Sequence, residues 1–166
     1  MTKELEFYYA VIENDIKKVS EMIQGEKGFC ENIKPYNESL LYHAAINGKK
    51  EMVEMLLEKG CNTDVKNERG YTPLHAATLY GFTIVVGILL KNKAEVDIQD
   101  GYGNTPLQEA VSNYKNDMAI IILLVENGAN PLIRNHSGIS PFQLAKDLNN
   151  EKAIQYFESM QKKINK

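Results

Sequence analysis

The side chains able to do chemistry are few and far apart. His43, His75 and His136 stand 32 and 61 residues from one another, so no pair has the i, i+4 spacing that holds zinc on one helix face. Cys30 and Cys61 have no histidine close by in sequence and are too few for a disulfide framework, which makes a reduced compartment the default expectation. Cys30, expected in a loop beside Glu31, has no neighbouring cation to lower its thiol pKa and is a poor nucleophile. Gly101-Tyr102-Gly103 has the start of a phosphate-cradling loop, but Pro106 occupies the place of the third glycine and no strand precedes it. No G-x-x-x-x-G-K-[ST] run is present, and His136-Ser137-Gly138 lacks the flanking glycines of a nucleophile elbow. No catalytic constellation, metal site or cofactor is expected on these residues.

The elements that would have to position a site are therefore the better guide. The 166 residues suffice for about one domain, and 43% hydrophobic with 25% charged residues is an ordinary globular mixture. Nineteen Lys+Arg against twenty-two Asp+Glu leave a net charge of −3, with no positive surplus to neutralise phosphates or an anionic membrane, so no nucleic-acid or membrane partner is expected. The first six residues reach Glu4 and Glu6 without the basic start and apolar stretch of a signal peptide. The longest apolar run, Met118 to Val125, is eight residues, against the roughly 18 to 20 that cross a bilayer. A soluble, cytoplasmic protein is expected.

Self-similarity organises the chain. Ser39-Leu40-Leu41, Thr72-Pro73-Leu74, Thr105-Pro106-Leu107 and Ser140-Pro141-Phe142 recur at spacings of 33, 33 and 35 residues, each followed five positions on by alanine: Ala44, Ala77, Ala110 and Ala145. Thr72 and Thr105 are good helix N-caps, and the proline after each sits at the first helical position, where its missing N–H costs nothing. That helix is about two turns long and ends near Gly48 or Gly81, where positive φ lets the chain reverse. A second helix returns, with Met52, Val53, Leu56 and Leu57, or Val85, Val86, Leu89 and Leu90, forming an apolar stripe. Gly60 and Gly128 stop it, and Asn67-Glu68-Arg69-Gly70 and Asp100-Gly101-Tyr102-Gly103 supply turn chemistry before the next unit.

A period of 33 residues with Gly70-Tyr71-Thr72-Pro73-Leu74-His75-Ala76-Ala77 resembles the ankyrin repeat, whose motif is T-P-L-H-x-A. The resemblance implies an all-α solenoid of stacked helix-turn-helix units joined by β-turn or hairpin-like loops, as one domain over residues 1–166. Approximate units run 1–34 as an N-terminal cap, 35–67, 68–100, 101–135 and 136–166 as a C-terminal cap, the atypical ends showing one face to water. The pattern is broken by Leu40 for proline, Tyr42 for histidine and Lys93 for the helix-ending glycine. His75 is expected to be structural, and Cys61, where the family has alanine, to be a small buried residue. Two extra residues in the fourth unit fall around Asn113-Tyr114-Lys115-Asn116, either a tolerated loop extension or part of a binding surface.

Ankyrin-like stacks bind other proteins through a concave groove of turn tips and first helices. Carrying over the family's variable positions marks Tyr36, Glu38, Glu68, Arg69, Tyr71, Tyr102, Asn104, His136 and Ile139 in the turns, with Ile46, Asn47, Leu79, Tyr80, Asn113 and Tyr114 from the first helices. Five of the nine tyrosines fall in this set, and exposed tyrosine supplies stiff contact area with a polar end. The bland reading is that tyrosine pads turn tips and stacks between units. Mixed charge at Glu38, Glu68 and Arg69 favours a folded protein partner over a polyanion. The expected function is a non-catalytic protein-interaction module, a monomer when unbound. The alternative is a stoichiometric inhibitor or immunity-type protein that occludes an enzyme or toxin, and an enzyme with an unrecognised site is the remote third. Glu51, Glu54, Glu58 and Lys59 read as a solvated face.

Overall fold

A computed structural model describes residues 2–24, 28–113 and 118–164, all in helices and turns with no strand among them. The repeated helix pairs are α1 (Lys3–Ile12) with α2 (Ile16–Met22), α4 (Leu40–Ile46) with α5 (Lys50–Glu58), α6 (Pro73–Leu79) with α7 (Thr83–Lys91), α8 (Pro106–Ser112) with α9 (Ala119–Glu126), and α10 (Pro141–Asp147) with α11 (Glu151–Ile164). Between the first two pairs lie a four-residue helix α3 (Phe29–Asn32) and a 3-10 turn, Pro35–Asn37. First helices pack in one row, α1–α4–α6–α8–α10, and second helices α2, α5, α7 and α9 in another. The chain is thus a helical solenoid in which each unit touches its neighbours.

The starts of the first helices follow from their caps. The side-chain oxygens of Ser39, Thr72, Thr105 and Ser140 accept from the backbone N–H three residues on, in Tyr42, His75, Gln108 and Gln143, each satisfying one orphan donor of the first turn. The alanines at the fixed offset, Ala44, Ala77, Ala110 and Ala145, are buried, so the helix rows approach closely. Met52, Val53, Leu56, Val85, Val86 and Leu89 are removed from solvent between the layers, each such side chain contributing about 1.5–3 kcal/mol of transfer free energy. Phe7 and Phe157 are fully buried under the two end units.

Chain reversals need left-handed backbone, and two residue types supply it besides glycine. Gly48 and Gly81 end α4 and α6 at φ of +64° and +76°, while Asn14 and Asn149 take the same place after α1 and α10. At the second-helix ends Gly60 and Gly128 have φ of +85° and +98°, and Lys93 adopts φ +69° there despite its Cβ. Asparagine also closes helices at their carbonyl ends. The Nδ2 groups of Asn47, Asn92, Asn113 and Asn127 donate to the carbonyls of His43, Ile88, Glu109 and Leu123, four residues back. At Ile88, Glu109 and Leu123 the same carbonyl also accepts the asparagine's own backbone N–H, so the amide adds a second hydrogen bond at the helix end.

The cysteines correct the sequence expectation. Cys30 lies in α3 and not in a loop, and its sulfur is bonded to that of Cys61, with Cα atoms 5.2 Å apart. Their separation of 31 residues closes when the first unit folds back on the second. The pair is therefore a covalent tie between consecutive units, and a reduced compartment is not the default it seemed from cysteine number alone. No helix among the described residues is long and apolar enough to cross a membrane.

Candidate functional site

The turn tips are built alike and lock onto one another. Asn67 Oδ1 accepts from the backbone N–H groups of Arg69 and Tyr71, Asp100 Oδ1 from Tyr102 and Asn104, and Asn135 Oδ1 from Ser137 and Ile139. These Asx turns replace the hydrogen bonds a strand would have made. Between turns, Gly101 N–H donates to Arg69 O at 2.8 Å and His136 N–H to Tyr102 O at 3.0 Å. Asn135 Nδ2 donates to Asn104 Oδ1 and Asn67 Nδ2 to Glu38 Oε1, each at 2.9 Å. Every tip is thereby placed in register with the next.

His75 ties helix to turn. Its Nδ1 accepts from the Thr72 N–H at 3.3 Å and lies 2.9 Å from the Thr72 hydroxyl, which leaves Nε2–H to donate to Asn104 O at 3.1 Å in the next turn. Both ring nitrogens are occupied in the neutral form, and burial holds the imidazole below its usual pKa. Gln108, at the equivalent position one unit later, does the same with its Nε2 on Ile139 O at 2.9 Å. His43 works differently, its Nε2 facing Pro35 O of its own unit at 2.9 Å.

Of the fifteen residues singled out by sequence, thirteen fall into two groups on this frame, and Glu38 is half-buried with its Oε1 accepting from Asn67 Nδ2. Asn47 and Asn113 cap helices, Asn104 and Ile139 accept from the neighbouring unit, and Ile46 and Leu79 are half-buried. Tyr71 is also partly buried, its hydroxyl donating to Glu109 Oε1 at 3.3 Å. Burial and the adjacent carboxylates of Glu109 and Asp100 push its pKa well above the usual tyrosine range, and burial likewise holds Glu109 above the usual carboxylate range. Tyr36, Tyr80 and Tyr102, by contrast, leave 64%, 57% and 65% of their surface in solvent. Arg69, Glu68 and His136 are exposed beside them, and Tyr114 lies outside the described residues.

Tyr36, Glu38, Tyr42, Asn67, Glu68 and Arg69 surround a recess of about 200 Å³. Asn37 Nδ2 donates to Glu68 Oε1 at 2.9 Å, joining its two walls. Tyr42, missed as a lining residue because it stands in the histidine position of its helix, has its pKa pushed up to about 12 by burial and then by the Glu38 carboxylate, with Tyr80 and Arg69 close enough to act on it. Tyr8 of α1 was missed as well. Its ring packs edge-on to Tyr36 at 5.1 Å and to His43 at 4.9 Å, so the first unit supports the exposed Tyr36 ring from behind. Among the described residues no group of three His, Cys, Asp or Glu could hold a metal ion.

Comparison with known proteins agrees with this architecture. A family model described as ankyrin repeats in three copies matches residues 7–100, and one described as ankyrin repeats in many copies matches residues 89–145. The chain is 30% identical over 70 residues to protein phosphatase 1 regulatory subunit 27 of Mus musculus, covering 42% of this chain and 46% of that protein. It is 30% identical over 77 residues to the human NAD-capped RNA hydrolase NUDT12, 46% of this chain and 17% of the relative. A putative E3 ubiquitin-protein ligase, XBAT31 of Arabidopsis thaliana, is 35% identical over 68 residues, 40% of this chain and 15% of that protein. The matched segments span less than half the length of each of these relatives.

Proposed function

The chain belongs to the ankyrin-repeat family, a family of protein-interaction modules, and on that premise we propose that it binds a folded protein through the concave side formed by its turn tips and first helices. The observation that carries this reading is the set of three tyrosine rings, Tyr36, Tyr80 and Tyr102, left exposed on a frame of hydrogen-bonded turn tips. Rings of this kind bury large area at little entropic cost and finish in a hydroxyl that a partner can satisfy. Glu68 and Arg69, between Tyr36 and Tyr80 in sequence, add charge of both signs, which suits a protein surface better than a polyanion. The rigid register of the tips means that this surface exists before the partner arrives, so little ordering cost is paid on association.

A regulatory role, of which inhibition is one form, is the second reading, favoured by the similarity to a relative named as a phosphatase regulatory subunit. The test is capture from a lysate of the source organism with three baits: wild type, a Tyr36→Ala/Tyr80→Ala/Tyr102→Ala variant, and Ile84→Ala, which removes another exposed apolar side chain at the start of α7. Hot-spot truncations cost about 2 kcal/mol or more each, so a specific partner should stay on wild type and Ile84→Ala and leave the triple variant. Retention of the same proteins by all three baits would refute the proposal. The activity of the captured partner, with and without an equimolar amount of the chain, then separates inhibitor from adaptor.

A further inference from the structure

We propose that the Cys30–Cys61 pair is a redox latch that sets the shape of the N-terminal end of the tyrosine face; this rests on the proposed binding role of that face for its consequence, though not for its structural part. Cys61 follows Gly60 at the end of the second unit, at the position filled by Ala94 and Ala129 in the next two units, so the stack itself does not need a sulfur there. Cys30 sits in a single-turn helix whose N-cap, Gly28, offers no side-chain hydrogen bond. The chain then runs directly into Pro35–Asn37, where Tyr36 and Asn37 both take left-handed backbone, at φ +56° and +61°. Two consecutive non-glycine residues in that region are unfavourable unless their surroundings hold them.

The holding points are identifiable. Downstream, His43 Nε2 meets Pro35 O, and Asn37 Nδ2 donates to Glu68. Upstream, the sulfur bridge fixes α3 to the end of α5, with Phe29 and Ile33 buried on either side of it. One covalent bond therefore restrains the strained run that presents Tyr36, Asn37 and Glu38. Both cysteines are buried residues, so an attacking thiol must await local opening.

The chemistry is a two-electron exchange. A thiolate of a dithiol attacks one sulfur, forms a mixed disulfide and expels the other cysteine as a thiolate, which takes a proton. The second thiol of the reagent then displaces the remaining cysteine, leaving the reagent oxidised to its disulfide and Cys30 and Cys61 as thiols. A low-molecular-weight disulfide such as oxidised glutathione runs the sequence backwards.

Hydrogen exchange of the whole chain, read by mass spectrometry before and after dithiothreitol, tests the latch without any partner. Alkylation before reduction should label neither cysteine, and after reduction both. The protected amides of Ile33, Asn37 and Glu38, bonded to the carbonyls of Phe29, Lys34 and Pro35, should then exchange about a hundredfold faster. Those of Ala94 and Ala129 should be unchanged. Cys61→Ala, which restores the residue of the other units and so preserves folding, should exchange like the reduced chain. Labelling of both cysteines before reduction, unchanged exchange at Ile33–Glu38, or an equal rise along the whole chain would overturn the proposal. A latch that responds as expected in a chain whose tyrosine variants still capture every partner would sink the binding role and leave the latch standing.

Discussion

Three glycines occupy the same place in successive turn tips and differ in one respect only, which makes them a direct probe of stacking. Gly70, Gly103 and Gly138 have φ of +79°, +78° and +76°. A Cβ on Gly70 would lie 2.5 Å from Gly101 N and 2.9 Å from Asp100 C, and one on Gly103 would lie 2.8 Å from His136 N. A Cβ on Gly138 meets nothing within 4 Å, because no described turn follows it. Replacement by alanine costs about 1–2 kcal/mol for the left-handed backbone at any of the three, offset by about 0.4–1 kcal/mol from the stiffer unfolded chain. At Gly70 and Gly103 the clash is with backbone that is itself hydrogen-bonded, so a tip must move and a further cost of about 1–3 kcal/mol is expected. Gly138→Ala should thus lose about 0.5–1 kcal/mol, and Gly70→Ala or Gly103→Ala about 2–4 kcal/mol. Urea unfolding followed by circular dichroism at 222 nm measures all three. Equal losses at the three sites would refute the claim that tip-to-tip contact holds the units in register.

Other consequences follow from single residues. Lys93→Gly should stabilise the chain by about 0.5–1 kcal/mol in the same urea assay, the relief of a left-handed φ exceeding the looser unfolded chain. His75 has a folded-state pKa below its unfolded value, so its contribution is fully present above the ordinary histidine pKa and is lost as pH falls from there through the lowered value. The contribution of this group should fall as pH drops below about 6.5, by at most about 1.4 kcal/mol per pH unit, and is read as the difference between wild type and a His75 variant. His75→Gln, which keeps a donor for Asn104 O as Gln108 does for Ile139 O, should flatten that slope. Glu109 is shifted the other way, its contribution present at acid pH and lost as pH rises through its raised pKa. The stability of Glu109→Gln relative to wild type should therefore be greater at pH 8 than at pH 4.

The repeat was legible because its determinants are local. An N-cap threonine, a proline after it, an alanine five positions on and a glycine at the reversal act within one or two helical turns, so their spacing alone announces the helix pair. What could not be read depends on pairs about one unit apart. Tyr71 looked like a surface residue until Glu109, 38 residues later, accepted its hydroxyl. Cys30 and Cys61 looked unrelated at a separation of 31, since neither carries a sign of the other until the units fold together. The capping role of Asn47 and Asn113 had a local signal that was passed over, an asparagine at the last turn of each short helix with a carbonyl four residues behind it. Tyr42 was hidden by its motif position, where histidine turns inward and tyrosine reaches the rim of the recess.

The binding role requires that a partner lie against the tyrosine face. A photo-crosslinking amino acid placed at Tyr80 or Tyr102, and separately at Lys91 on the exposed end of α7, reads this directly once the captured protein is in hand. A discrete crosslinked band from Tyr80 and Tyr102 with none from Lys91 is the predicted result. Crosslinking from Lys91 with none from either tyrosine would contradict it.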